Sequence, residues 1–416
     1  MKAMECDVLI IGGGMVGISA ALCLRRRLGP GCKILLVEGF PLPAKDVDFH
    51  AAYSPSFDAR STALSYSSCL IYQELELWDE LAQRACTIEQ VHVSEQGRFG
   101  STLMRAADYD WPALGYVVEN AWLGNVLVQA LHQTDVQTLS PARVLSASVE
   151  TDRVRVNFES GECAYAQLLL VADGANSVLR ESLGVEVLEQ DYSQHALIAN
   201  IGHALEHRGC AYERFTPQGP LAMLPLLASP AEGQRSALVW SLSEEEAQTL
   251  QHCPEDEFLA TLQDRFGYRL GRLQRVGDRH SYPLALIEAR EQVRSGIVIM
   301  GNAAHSLHPV AGQGFNLALR DIARLGAVLA EAKMQGDALG ALSVLQQYIN
   351  QQSGDQQRTK QFSDRLPDLF MRRDPVLALL RDVGLVALDL SPVLKREFVR
   401  QTTGVAVSAG YRNVQP

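Results

Sequence analysis

The segment 8–24 constrains the fold most. VLII at 8–11 is a short β-branched and apolar run, the composition of a strand buried on both faces, and 19–24 favours helix. Between them, GGGMVG puts Gly12, Gly14 and Gly17 in the spacing G-x-G-x-x-G. The first glycine permits a tight turn, the second lets backbone approach a pyrophosphate, and the third lets helix pack closely on strand. The helix N-terminus then offers unpaired N–H groups and a positive dipole end to phosphates. Alone, this spacing is weakly specific. A second apolar run at 33–37 strengthens it, because Glu38 ends that run 21 positions after Gly17 (38 − 17 = 21). An acid about 20 residues on accepts a hydrogen bond from a ribose 2′-hydroxyl and disfavours a 2′-phosphate. The unit is therefore expected to hold FAD or NAD rather than NADP.

The chain has 416 residues, 47% of them hydrophobic, which is more than one core of roughly 100–200 residues requires. Two domains are expected. A net charge of −11, from 37 basic and 48 acidic residues, repels phosphate backbones and argues against a nucleic-acid partner. The eight cysteines are scattered with no C-x-x-C pair, so neither a metal framework nor a disulfide framework is expected, and the compartment reads as reducing and cytoplasmic. No run of about 18 uninterrupted apolar residues occurs, so no transmembrane helix is expected. Four glycines break up 8–24, which separates it from a secretion signal.

Further along, 41–60 reads as loop, and Arg60 stands just after the nucleotide unit. It is either a cofactor contact or a solvated surface arginine. Residues 119–132 have helical spacing. The stretch 154–172 alternates like a hairpin around Ser160–Gly161 and ends in a buried strand, after which Asp173 and Gly174 precede a helix. Asp173 either faces the ligand crevice at the strand's carboxyl end or caps that helix. From 186 to 285, short β-type runs alternate with Gly, Pro and polar turns, as in an inserted antiparallel sheet. The chain returns at 296–300 for one more strand and enters GNAAHSLHPVAGQGFNLALRD (301–321). An ordinary connection needs about 2–6 residues; this one spends three glycines, two histidines and a proline before its helix. The last fifty residues are helical and apolar with basic edges, suiting a packed cap or a face for membrane or partner.

The expected fold is α/β, α+β overall: a Rossmann-like nucleotide-binding domain at 1–85, 101–185 and 286–360, an inserted antiparallel-sheet domain at 86–100 and 186–285, and a helical segment at 361–416.

Three motifs in order, GGGMVG, ADGANS and GNAAHSLHPVAGQGFNLALRD, resemble those of the single-component FAD-dependent aromatic hydroxylases of para-hydroxybenzoate hydroxylase type. The resemblance spans most of 1–350. FDARSTALS, VHVSEQG (91–97), ERFTPQGPLAMLP (213–225) and YPLAL (282–286) narrow it to the ubiquinone-biosynthesis hydroxylases, and among these to the 2-octaprenyl-6-methoxyphenol hydroxylases. The family often has Gly-Asp where this chain has Gly301–Asn302; Asn still accepts and donates hydrogen bonds. The W-x-W-x-I-P of the related halogenases is not in the sequence.

The resemblance implies a monooxygenase that uses FAD, NADPH or NADH, and O2, and hydroxylates a polyprenylated phenol through a flavin C4a-hydroperoxide. It implies that Gly12, Gly14, Gly17 and Glu38 hold the ADP part of FAD, that Arg60 lies near the flavin, and that Asp173 and Gly174 form a shared FAD/NAD(P)H motif. It assigns ribitol and flavin contacts to Gly301, Asn302, Gly312, Gln313, Gly314, Phe315 and Asn316. NAD(P)H would bind without a Rossmann unit of its own. Met223, Leu224 and Pro225 are expected on one substrate wall, with His305 and Pro309 opposite as catalytic candidates; His305 and His308 equally suit structural hydrogen bonding. A long prenyl tail implies a ubiquinone-synthesis complex, a lipid carrier or a peripheral position at the inner membrane. A sister hydroxylase acting at another ring position and a non-catalytic flavoprotein of the same complex remain open.

Overall fold

The computed structural model describes residues 3–45, 60–229, 233–307, 312–371, 381, 382, 384, 387, 389 and 391–403. His308 and Pro309 lie outside the described residues, as does most of the apolar stretch after 371.

Among the described residues the strands form three sheets. The first is built on Met4–Ile11, which runs parallel to Cys163–Val171 on one side and to Ile34–Val37 on the other, so that Val8 faces both Leu168 and Ile34. Ile297–Ile299 and Gln137–Leu139 extend it in parallel at its two sides. Val8, Leu9 and Ile10 are fully buried because both faces are covered. On one face, helices Met15–Leu28, Asn120–His132 and Gln313–Gln335 pack on Val8, Ile10 and Leu36. On the other, Val156 and Phe158 of an antiparallel hairpin, with Leu179, pack on Leu9, Ile11 and Leu169. Two covered faces leave no reason for polar alternation, hence the continuous apolar runs.

The second sheet is antiparallel except where Cys210–Thr216 runs parallel to Gln90–Glu95. Its long strand Val187–His203 pairs with His280–Ala289 and, further along, with Arg235–Leu242; a register shift falls between Asp191 and Gln194. Helices Glu244–His252 and Glu255–Phe266 cover one face, burying Leu197, Met223, Leu238 and Trp240 against Leu250, Phe258 and Leu262. Ser243 starts the first of these helices by accepting a hydrogen bond from the Glu246 N–H. The uncovered face turns toward the nucleotide unit. A small third sheet joins Ser61–Ser65, Gly115–Glu119 and Ala85–Ile88.

The strand Ser101–Arg105 pairs with Gln90–Glu95 and so belongs to the second sheet, not to the first unit where the sequence pattern put it. His280–Ala289 continues in that sheet past 285, and His305–Ser306 pairs along it. Five alternating residues such as Ser101–Arg105 carry no mark of which sheet they join; the partner strand decides.

The C-terminal region is helical where described, with Leu342–Met371 and Pro392–Thr402. It clasps the edge of the second sheet. Arg381 pairs with Glu95 at 2.9 Å, and Asp389 accepts from Thr102 Oγ1 at 3.1 Å and from the Leu103 N–H at 3.2 Å. Val399 is buried beside Met104 and Tyr109. Among the described residues, no helix is long and apolar enough to cross a membrane.

Candidate functional site

The carboxyl ends of the parallel strands bring together the sequence's glycine turns, the position where an α/β sheet binds its ligand. The first turn divides its glycines between two tasks. A Cβ on Gly12 (φ 107°) would lie 2.3 Å from the Ala172 carbonyl oxygen, and one on Gly17 would lie 1.8 Å from the Gly12 carbonyl oxygen. Backbone already fills those places, so both glycines serve the strand–helix crossing. Gly14 has nothing among the described residues within 4 Å of that point. Glu38, at the end of Ile34–Val37, accepts from the Gly13 N–H at 2.5 Å and the Phe40 N–H at 2.9 Å, which fixes its carboxylate beside the turn.

Asp173 follows the strand Cys163–Val171. The cap of the next helix, Val178–Ser182, is Ser177, whose Oγ accepts from the Arg180 N–H at 3.0 Å. Burial pushes the Asp173 carboxyl up, opposed by a hydrogen bond from Ser177. Its Oδ1 is buried with no partner among the described residues, and none of the described residues comes within 4 Å of a would-be Cβ on the neighbouring Gly174 (φ 95°). A buried orphan acceptor calls for a ligand donor.

The late turn is held by side chains. Ile297–Ile299 leads into a 3₁₀ turn, Gly301–Ala303, in which Gly301 packs on Val16 and Asn302 is exposed. Arg180 donates to the Ala303 carbonyl at 2.9 Å. His305 Nε2 meets Asp321 Oδ2 at 2.9 Å, with both side chains buried, and Gln356 donates to the other Asp321 oxygen at 3.2 Å. The His305 Nδ1 has no partner among the described residues. Gly312 (φ 59°) then opens the helix Gln313–Gln335. Gly314, in the first turn, has nothing among the described residues within 4 Å of a would-be Cβ, and the first N–H groups of a helix lack intrahelical partners. Gln313 is buried and Phe315 packs partly into the core.

Asn316 spends its side chain on protein. Its Oδ1 accepts from the Ser65 N–H (2.8 Å) and from Ser68 Oγ (2.7 Å), and its Nδ2 donates to the Ala63 (2.8 Å) and Gly312 (2.7 Å) carbonyls. It is a clamp between the turn and the strand Ser61–Ser65.

Between the nucleotide unit and the uncovered face of the second sheet lies a cavity of about 270 Å³. Arg60, Ser61 and Asn120 line it from one side; Ile198, Asn200, Leu224, Ala237, Val239 and Tyr282 line it from the other. Arg60 donates to the Tyr282 hydroxyl at 3.1 Å, with its guanidinium 6.0 Å from that ring's centroid. Of the three substrate-wall residues expected from the sequence, strand alternation brings only Leu224 to the cavity. Met223 is fully buried on the helix-covered face, and Pro225, two residues on, shares its side of the strand. The sequence reading missed Asn120, Asn200, Asp321 and Gln356. Period-2 counting from Leu224 and its paired strands would have found the sheet residues; the buried polar partners had no local signal.

The donors and openings suit FAD: open glycines 14, 174 and 314, the helix N-terminus behind Gly314, a fixed carboxylate at Glu38 and the orphan oxygen of Asp173. Bound there, FAD would supply hydride uptake from NAD(P)H and activation of O2.

A family model described as FAD binding domain matches residues 5–362. Ubiquinone hydroxylase UbiL of Rhodospirillum rubrum is 34% identical over 399 residues, covering 96% of this chain and 89% of that protein. The 3-demethoxyubiquinol 3-hydroxylase of Escherichia coli is 30% identical over 406 residues, covering 97% of this chain and 100% of that protein. In fold, the chain is similar to p-nitrophenol 4-monooxygenase PnpA from Pseudomonas putida, with a TM-score of 0.75 at 19% identity over 99% of this chain and 100% of that one. With the family match spanning both sheets and the site's openings fitting the cofactor, this chain belongs to the FAD binding domain family and is an FAD-dependent monooxygenase that draws its electrons from NADH or NADPH.

Proposed function

We propose that this chain hydroxylates the aromatic ring of a polyprenylated methoxyphenol in ubiquinone biosynthesis. The carrying observation is the cavity of about 270 Å³ between Arg60, Ser61 and Asn120 on one side and the sheet on the other. It is near the lower limit of small-molecule pockets, room for one substituted ring with its tail outside. Identity with ubiquinone hydroxylases along nearly the whole chain supports the same reading.

In this mechanism Gly14, Glu38, Asp173 and Gly314 hold and orient FAD. Ile198, Leu224 and Val239 hold the ring and exclude water, which protects the oxygen-transfer step. Asn120 and Asn200 set amide groups in the wall for the ring's oxygens. Arg60 and Tyr282 form the rim. His305 positions the turn through Asp321 rather than touching the ring. The enzyme works beside the inner membrane, a lipid carrier or a quinone-synthesis complex, because the tail is insoluble in water.

The test is turnover of 2-geranyl-6-methoxyphenol in detergent micelles with FAD, NADH or NADPH, and O2, with the product's ring position read by NMR. One ring hydroxylation per NAD(P)H is expected; NAD(P)H oxidation giving only hydrogen peroxide would sink the substrate assignment. A second reading, hydroxylation at a different ring position, is favoured by the 30% identity to the 3-demethoxyubiquinol 3-hydroxylase, and the same NMR experiment separates the two.

A further inference from the structure

We propose that the buried ion pair of Glu119 and Arg235 sets the gap between the two walls of the cavity, and that through this gap it determines which ring substituents the enzyme accepts. Both are positioning residues, since neither lines the cavity itself. The inference rests on the reading above that a substituted phenol occupies the cavity.

The pair crosses from wall to wall. Glu119 pairs with Ser61 in the small sheet, and its neighbour Asn120 donates its backbone N–H to the Arg60 carbonyl at 2.8 Å. Arg60, Ser61 and Asn120 are the lining residues of the nucleotide side. Thr62 Oγ1 donates to Asn120 Oδ1 at 2.6 Å, so the same short strand also fixes the Asn120 side chain. On the opposite wall, Arg235 begins the strand Arg235–Leu242, in which Ala237 and Val239 line the cavity. Period-2 alternation puts Arg235 in that same row. Its Nε donates to the Leu227 carbonyl at 2.8 Å, just beyond the strand that carries Leu224. Across the gap, Arg235 Nη2 reaches Glu119 Oε1 at 2.6 Å, and the two side chains are 3% and 5% exposed.

Register along the long strand Val187–His203 shows what the pair brackets. Tyr282 faces Ala196 there, and Arg235 faces Gly202. Ile198 and Asn200, both lining residues, lie between. The cavity is therefore crossed at one end by Arg60–Tyr282 and at the other by Glu119–Arg235. The first contact is exposed, where water weakens it. The second is buried, and separating it strands charge in the interior. A pair of this kind holds a distance. Stability gives little reason for it, because apolar residues of similar volume often serve a core equally well. A fixed gap does give a reason. A methylene more or less against a wall changes kcat/KM by roughly 10–200-fold, and misplacing a reacting group by about 1 Å costs about 10²-fold.

The experiment uses the FAD-loaded chain and two probes, 2-geranyl-6-methoxyphenol and its 6-ethoxy homologue, and reads the ratio of their kcat/KM values for hydroxylation. The ratio is independent of how much of each preparation is active, so a purely structural defect does not move it. Glu119→Leu combined with Arg235→Met removes both charges together and leaves neither buried alone. Wild type is expected to favour the methoxy compound by about tenfold. The double variant is expected to keep its FAD and its thermal midpoint and to bring that ratio close to unity, with more of the oxygen released as hydrogen peroxide. A wild-type ratio near unity, or a ratio that the double variant leaves unchanged, would overturn the assignment. If the double variant does not hold FAD, Glu119→Asp decides, since it keeps the charge and shortens the reach by a methylene: a lowered ratio supports the role, and an unchanged one ends it. Hydroxylation of neither phenol by wild type is a separate outcome, which overturns the substrate reading and this inference with it.

Discussion

Two strand-to-helix turns meet at the site, and they are stabilised differently. At Gly12 and Gly17 of the first turn, backbone presses on backbone, and glycine is required because no space is left. In the turn at Gly301–Asn316, hydrogen bonds from distant residues fix the path: Arg180 to Ala303, Asp321 to His305, and Asn316 to the strand Ser61–Ser65. In the first turn the crowding at Gly17 comes from Gly12, five residues back, and that at Gly12 from the neighbouring strand's end at Ala172. Two of the second turn's three contacts, Arg180 to Ala303 and Asn316 to Ser65, form only when partners more than a hundred positions apart have met. Gly12 and Gly17 tolerate no added atom, whereas Asn316 cannot be lost without leaving polar groups unpaired.

Substitutions can break this contrast. The largest effect is expected from Gly17→Ala, whose Cβ would sit 1.8 Å from the Gly12 oxygen. It should cost more than about 4 kcal/mol or abolish folding, measured as FAD content and thermal midpoint. Asn316→Ala removes four hydrogen bonds and strands their buried partners. About 2–4 kcal/mol should be lost in urea unfolding, with FAD affinity falling as well. Asp321→Asn weakens the buried contact to His305 and should cost about 1–3 kcal/mol by the same assay. Gly314→Ala sharpens the comparison. The same Cβ that ruins Gly17 enters open space here, so stability should change by no more than about 0.5 kcal/mol, while FAD binding, followed by flavin fluorescence, weakens about tenfold. Unchanged FAD affinity would show that the opening at Gly314 does not face the cofactor.

A separate effect is expected in the pH dependence of stability. The folded chain raises the Glu213 carboxyl from 4.5 to about 7, so it binds that proton more tightly than the unfolded chain does. Its contribution to stability is complete below the unfolded value and is lost as pH rises through the folded one. Glu213→Gln should flatten the melting-temperature profile across that window; a profile of unchanged slope would place the carboxyl in water.

This contrast also marks what the sequence could disclose. The turn carrying Gly12, Gly14 and Gly17 and the strand end at Glu38 were legible as a strand–turn–helix unit because their spacing is local. The inserted sheet was legible from its turn-punctuated β runs. The membership of Ser101–Arg105 was not, because five alternating residues fit either sheet. Met223 and Leu224 look alike in composition, and only the register against Leu238 and Ala237 shows that they face opposite ways. Asn316 reads as part of a cofactor motif, yet its partners lie 248 to 253 positions away in Ser68 and Ala63. Pairing at that distance is settled by packing, which no spacing rule encodes.

The clasp of Arg381 and Asp389 on the second sheet also sets a timetable for synthesis. Glu95 and Arg381 are 286 positions apart. At about 5–20 residues per second, the ribosome leaves Ser101–Arg105 without its cover for roughly a quarter-minute to one minute. Throughout that interval the strand's outer backbone groups are open to pairing with any neighbouring nascent chain. Among the described residues, this edge is one that the late C-terminal residues cover only after the strand has been made.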